Sequence, residues 1–308
     1  MTLPKQPLQT NPTNQTVKTV SLVLGSGGAR GMAHIGIIRW LEAHNYQIKS
    51  VSGSSIGALI GGIYAAGKLD ECESWFKQLS NTDILGLTDI AWNRSGLIKG
   101  DKLVEAFRKV LGNPNIEDLD IPFTAVATDI ENEKEVWLQK GSLLDAMRAS
   151  TALPMVFTPF HKHGITLVDG GVLNPVPIAP TFGQTNDLII AINLGGKSKA
   201  AELPASPVET DLNEDSWLNN ASALFDSLVS RIFPDEPEFE TPLSWDMVDI
   251  SNKAFDSMQS SIARQQLAAY PPDIIIEIPR DACGMLEFSK INEMIELGYS
   301  TAENTLGK

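Results

Sequence analysis

At 308 residues with 43% hydrophobic content, the chain can build one sizeable α/β domain or two small ones around an ordinary core. Its net charge of −14 is uneven: residues 1–196 carry 16 Lys and Arg against 18 Asp and Glu, and residues 197–308 carry 8 against 20. This excludes a nucleic-acid binder, which needs clustered basic residues, and tight electrostatic binding to anionic lipid. No apolar run approaches the roughly 18 residues of a membrane-spanning helix.

The opening residues 1–16 are polar, lack the apolar run of a secretory signal, and read as a disordered leader. Two distant cysteines, Cys72 and Cys283, imply neither a disulfide framework nor a metal cluster, so a reducing, cytoplasmic setting is expected.

Residues 18–25, KTVSLVLG, are β-branched and apolar and predict a buried strand. After a glycine-rich turn, GMAHIGIIRWLEAHN places apolar residues at 32, 35, 37, 38 and 41, the spacing of an amphipathic helix. IKSVSG reads as a second strand and IGALIGGIYAAG as a small-residue helix stopped by Gly67. Two strand–turn–helix units in about fifty residues predict a parallel sheet. Helices follow at 70–80, 101–111 and 142–150, with strands at 122–130, 134–139, 164–170 and 187–195.

Residues 197–249 read as an acidic insertion; from 200 to 249 there are twelve acidic residues and one basic, Arg231. Within it, residues 217–232 put Trp217, Leu218, Ala221, Leu224, Phe225, Leu228, Val229 and Ile232 on one helical face, a core stripe or a lid. A helix at 250–269, a strand at 272–278 and a helix at 289–305 close a single domain, residues 17–308.

Three stretches carry chemistry. Gly53-Ser54-Ser55-Ile56-Gly57 fits G-x-S-x-G between a predicted strand and helix, the setting that holds a serine out as a nucleophile. Small residues suit this elbow because strand and helix backbones crowd there. The alternative is a plain Gly/Ser packing turn. LGSGGARG, residues 24–31, would form a nest of backbone N–H groups. It fails G-x-G-x-x-G at Arg30 and has no acidic residue about twenty positions on, so a nucleotide site is disfavoured. An oxyanion hole remains, with Arg30 supporting the loop, attracting a phosphate or pairing on the surface. Asp169, before Gly170 and Gly171, is either turn chemistry or a general base. Of the four histidines, His34 and His44 read as structural, and His161 and His163 lie in a hairpin turn with no third metal ligand.

The ordered trio GSGGARG, GSSIG and DGG resembles the patatin-like phospholipase family, specifically the bacterial branch similar to the catalytic domain of neuropathy target esterase. AHIGIIRWLE, RASTALPMVFTPF and AAYPPDIIIEIP add to the likeness, which covers residues 18–195 and resumes near 250–300. The resemblance implies a three-layer α/β/α fold with a mainly parallel sheet. It also implies a Ser–Asp dyad hydrolase acting through an acyl-enzyme, with no catalytic histidine, metal or cofactor. Ser55 is then the nucleophile, Asp169 the base, and Gly25, Ser26, Gly27, Gly28, Ala29, Arg30 and Gly31 the oxyanion loop, chiefly Gly27 and Gly28. Gly53 and Gly57 frame the elbow, and Gly170 and Gly171 follow the base. Ser26 departs from the glycine usual there.

The expected partner is an acyl-ester lipid, as in a phospholipase or lysophospholipase, with transient membrane contact allowed, no nucleic acid, and no indicated homo-oligomer. Leu153, Pro154, Met155, Val156 and Phe157 are the expected acyl wall, or else a buried core loop. A carboxylesterase for short soluble esters and a silent lipid- or partner-binding regulator stay open as alternatives.

Overall fold

The computed structural model describes residues 17–78, 98–162, 164–198 and 247–307. The expected leader, His163 and the amphipathic stretch 217–232 lie outside these residues, as does most of the acidic insertion.

Strand β1 (Lys18–Leu24) is buried from Val20 onward on both faces, as a central parallel strand must be. Each such side chain contributes about 1.5–3 kcal/mol on burial. A 3-10 turn over Gly28–Met32 leads into α1 (Ala33–Ala43). The expected helix therefore begins two residues later than its apolar spacing suggested, because the glycine-rich loop is coiled into a tighter turn. β2 (Tyr46–Ser54) and α2 (Ile56–Ala65) complete the second unit. α3 (Leu69–Gln78), α4 (Asp101–Leu111), β3 (Phe123–Asp129), β4 (Lys134–Leu138) and α5 (Leu143–Ser150) follow. The short β5 (Phe160–Lys162) pairs antiparallel with β6 (Ile165–Asp169), the expected hairpin. β7 (Leu188–Gly196), α6 (Met247–Ala269), β8 (Ile274–Pro279) and α7 (Ile291–Leu306) end the chain. α6 starts three residues before the expected 250.

The sheet runs β5-β6-β3-β2-β1-β7-β8, with β4 also on β3. Its centre, β3-β2-β1-β7-β8, is parallel, and β4, β5 and β6 are antiparallel additions. One face of β1 (Val20, Leu22, Leu24) packs with α1 and α2. Val23, on the other face, packs with Val176, Ile178, Ala191 and Ala263 of α6. The result is three layers with a mostly parallel sheet between helices, as expected.

The register on β3 positions the site. Ser54, ending β2, lies opposite Val126, and Asp169, ending β6, lies opposite the next residue, Ala127. Because β4 occupies the other edge of β3 over Ala125–Asp129, β2 and β6 must meet end to end along one edge. Two segments more than 110 residues apart in sequence thus finish at one point. None of the described helices is long and apolar enough to cross a membrane.

Candidate active site

Ser55 stands at the N-cap of α2 with φ 55° and ψ −125°, a backbone conformation that costs a non-glycine residue about 1–3 kcal/mol. The surroundings hold it there. Its N–H donates to Ser150 Oγ at 2.9 Å, and its carbonyl accepts from the N–H groups of Ala58 and Leu59. Ser150, fully buried, donates in turn to the Val126 carbonyl at 2.6 Å. The elbow glycine Gly57 allows the crowding that the motif requires: a Cβ there would fall 2.0 Å from the Leu24 carbonyl. A test of the strain follows. Ser55→Gly is expected to be more stable than Ser55→Ala by about 1 kcal/mol in chemical denaturation, since only alanine resists the positive φ. Equal stabilities would mean the elbow is relaxed.

Asp169 is wholly buried. Its Oδ2 accepts from Ser55 Oγ at 2.5 Å, and its Oδ1 accepts from the Gly171 N–H at 2.7 Å. Burial raises its pKa to about 7, against the opposing pull of the hydrogen bonds from Ser55 and Gly171. A carboxylate so poised can take a proton near neutrality and return it. Gly170 lies directly under this turn, where a Cβ would meet the Val126 carbonyl at 2.0 Å.

The loop between β1 and α1 brings seven candidate residues together, and most of its N–H groups are already engaged. Gly25 donates to the Ile192 carbonyl, Ser26 to the Pro175 carbonyl and Ala29 to the Met285 carbonyl, while Arg30 and Gly31 lie within the 3-10 turn. Among the described residues, the N–H groups of Gly27 and Gly28 find no such acceptor. The loop abuts the elbow, since a Cβ on Gly31 would strike Ile56. Arg30 is 2% exposed, and its Nε donates to the Gly27 carbonyl at 3.1 Å, the geometry expected of a loop brace and not of a surface pair.

His34 is also buried, with Nε2 donating to the Gly25 carbonyl at 2.9 Å and a pKa lowered to about 4 by burial. His44 stacks on Trp40, and His161 bonds Thr166; neither touches Ser55 or Asp169. The expected acyl wall is no core loop. Leu153, Val156 and Phe157 are half-buried, Pro154 and Met155 are exposed, and Met155 has a positive φ of 66°. This loop is tied to Asp169, whose N–H donates to the Ala152 carbonyl at 2.9 Å. Sequence reasoning missed Ser150. It lies within RASTALP, but nothing local says that its hydroxyl supports the elbow. No cluster of three or more potential metal ligands occurs among the described residues.

A family model described as patatin-like phospholipase matches residues 22–182. An uncharacterized NTE family protein of Mycobacterium tuberculosis is 38% identical, over 93% of this chain and 91% of that protein. Patatin-like phospholipase domain-containing protein 6 of Homo sapiens is 28% identical over 95% of this chain, and lysophospholipase NTE1 of Debaryomyces hansenii 27% over 94%. This chain spans only 20% and 18% of those two larger proteins.

Proposed function

The chain belongs to the patatin-like phospholipase family, and from that premise we propose that it cleaves fatty-acyl esters of phospholipids or lysophospholipids through a Ser55–Asp169 dyad. Family and relatives support a lipid ester hydrolase, and the lysophospholipase name of the fungal relative supports the substrate class. One observation carries the mechanism: Ser55 Oγ donates at 2.5 Å to a buried Asp169, and no described histidine bonds either residue.

In the proposed cycle, Asp169 Oδ2 takes the Ser55 proton as Oγ attacks the acyl carbonyl carbon. The oxygen of that carbonyl becomes an oxyanion received by the N–H groups of Gly27 and Gly28, in the field of the α2 N-terminus. Collapse expels the alcohol, which takes the proton from Asp169, and leaves Ser55 acylated. Asp169 then deprotonates a water that attacks the acyl-enzyme, and returns that proton to Ser55 Oγ as the fatty acid leaves. The acyl chain lies along Leu153, Val156 and Phe157, with exposed Pro154 and Met155 meeting the lipid surface transiently. One catalytic domain carries the reaction, in a reducing cytoplasmic setting that suits the free, buried Cys72 and Cys283.

The test is hydrolysis of p-nitrophenyl esters graded from acetate to palmitate, with Ser55→Ala as the control. We expect preference for the longer chains and no turnover in the variant. Turnover surviving in Ser55→Ala sinks the dyad, and preference for acetate moves the assignment to short soluble esters. Wild-type silence on these esters and on lysophosphatidylcholine leaves a binding role.

A further inference from the structure

The family match ends at residue 182, yet two side chains of α6 reach back into the glycine-rich loop. Asp256 Oδ1 pairs with Arg30 Nη2, and Asp256 Oδ2 accepts from Nη1 at 3.4 Å. The Arg30 side chain is 2% exposed and that of Asp256 24%, so the pair is largely withdrawn from water. Nη1 also donates to the Arg280 carbonyl at 2.8 Å, which fixes the guanidinium from a third side. One turn along α6, Gln259 exchanges hydrogen bonds with Ser26 Oγ at 3.0 and 3.2 Å. Gln259 also packs against Gly171, whose N–H holds Asp169: a Cβ on Gly171 would fall 2.1 Å from Gln259 Nε2.

We propose that Asp256 and Gln259 are positioning residues that set the oxyanion loop, Asp256 acting through Arg30 and Gln259 through Ser26. The inference rests on the dyad reading above. Its geometry follows from the peptide plane. Arg30 Nε holds the Gly27 carbonyl, and in a trans peptide the N–H of the next residue, Gly28, points the opposite way. Arg30 therefore aims the Gly28 N–H away from itself, and Asp256 holds Arg30 in place. Without Asp256 a buried guanidinium keeps its charge and loses its partner, so it must seek water or another acceptor and release the Gly27 carbonyl. Donors that stabilise an oxyanion act by being oriented in advance, so a loosened peptide lowers the rate without weakening ground-state binding.

The experiment compares wild type, Asp256→Asn, Arg30→Gln/Asp256→Asn and Ser55→Ala on a long-chain p-nitrophenyl ester. Active sites are counted by fluorophosphonate labelling, and a trifluoromethyl ketone serves as the tetrahedral mimic. Asp256→Asn is expected to lose about 10- to 100-fold in kcat per labelled site with KM within about twofold. Inhibition by the ketone weakens by the same factor. The double variant removes the stranded charge, so its melting temperature recovers toward wild type while kcat stays low. A purely structural role predicts recovery of both and would overturn the proposal, as would an unchanged kcat in Asp256→Asn. If the single variant does not fold, kcat of the double variant decides by itself. Gln259→Leu should show a smaller loss in kcat, again at constant KM, and an unaltered kcat there removes Gln259 from the assignment. Turnover or labelling that persists in Ser55→Ala would instead overturn the dyad, and the clamp with it.

Discussion

Replacing Asp169 with Asn is expected to lower kcat by on the order of 10⁴-fold while making the protein more stable at pH 8. The two effects have one cause. The carboxyl is wholly buried, and burial lifts its pKa to about 7, with the Ser55 and Gly171 hydrogen bonds pulling the other way. The native state therefore binds this proton more tightly than the unfolded chain, whose aspartate titrates near 3.9. The stability gained from the protonated form is present in full below pH ~4 and is lost as pH rises through about 7. A shift of three units corresponds to about 4 kcal/mol at most, reached above pH 7. Asparagine cannot ionise and escapes that loss, while its amide oxygen can still accept from Gly171. Calorimetry from pH 4 to 9 should show the variant's advantage growing with pH and then levelling. In the wild type, kcat/KM should rise through about pH 7, since only the ionised base can take the serine proton. A variant no more stable than wild type at pH 8 would contradict the buried charge. A loss in kcat smaller than tenfold would mean that another group is the base.

Ser55 and Asp169, the two residues of the proposed dyad, stand out in the sequence because each lies at a local punctuation mark. Gly53 and Gly57 bracket Ser55 between a β-branched run and a small-residue run, and Gly170 and Gly171 follow Asp169 at the end of another apolar run. Such signals report backbone crowding that the nearest neighbours decide. The strand–turn–helix opening and the parallel centre of the sheet were readable for the same reason. What could not be read is how distant segments meet. Nothing near Ser54 or Asp169 announces that β2 and β6 end against consecutive residues of β3. Ser150 is 95 residues from the elbow it supports, and Asp256 is 226 from Arg30. Arg30 illustrates the limit well: its chemistry suited a phosphate site, a surface pair or a loop brace, and only the neighbours supplied by α6 and the Arg280 carbonyl select the brace. The stretch 153–157 left a similar choice open, an acyl wall or a buried core loop, because apolar character alone does not say which side of a surface a loop occupies; the 57% exposure of Met155 speaks against the core loop.

Gly28→Ala tests the oxyanion loop most directly, with an expected loss of about 10²- to 10³-fold in kcat and KM changed by less than about threefold. Two constraints act at this position. Gly28 has φ +59°, which an alanine adopts at a cost of about 1–2 kcal/mol. A Cβ would also lie 2.1 Å from the Met285 carbonyl oxygen, the acceptor of the Ala29 N–H at 2.8 Å. That obstacle is backbone, so no change of rotamer relieves it. The loop must shift, and the Gly28 N–H shifts with it. Gly67→Ala separates strain from displacement, because Gly67 shares the positive φ, at +65°, but a Cβ there meets nothing within 4 Å. This control should lose about 1 kcal/mol of stability and retain wild-type kcat. Kinetics per labelled site and melting curves for both variants decide the matter. A Gly28→Ala protein that folds and keeps wild-type kcat would remove Gly28 from the oxyanion hole. A matching loss of kcat in Gly67→Ala would trace the effect to general destabilisation.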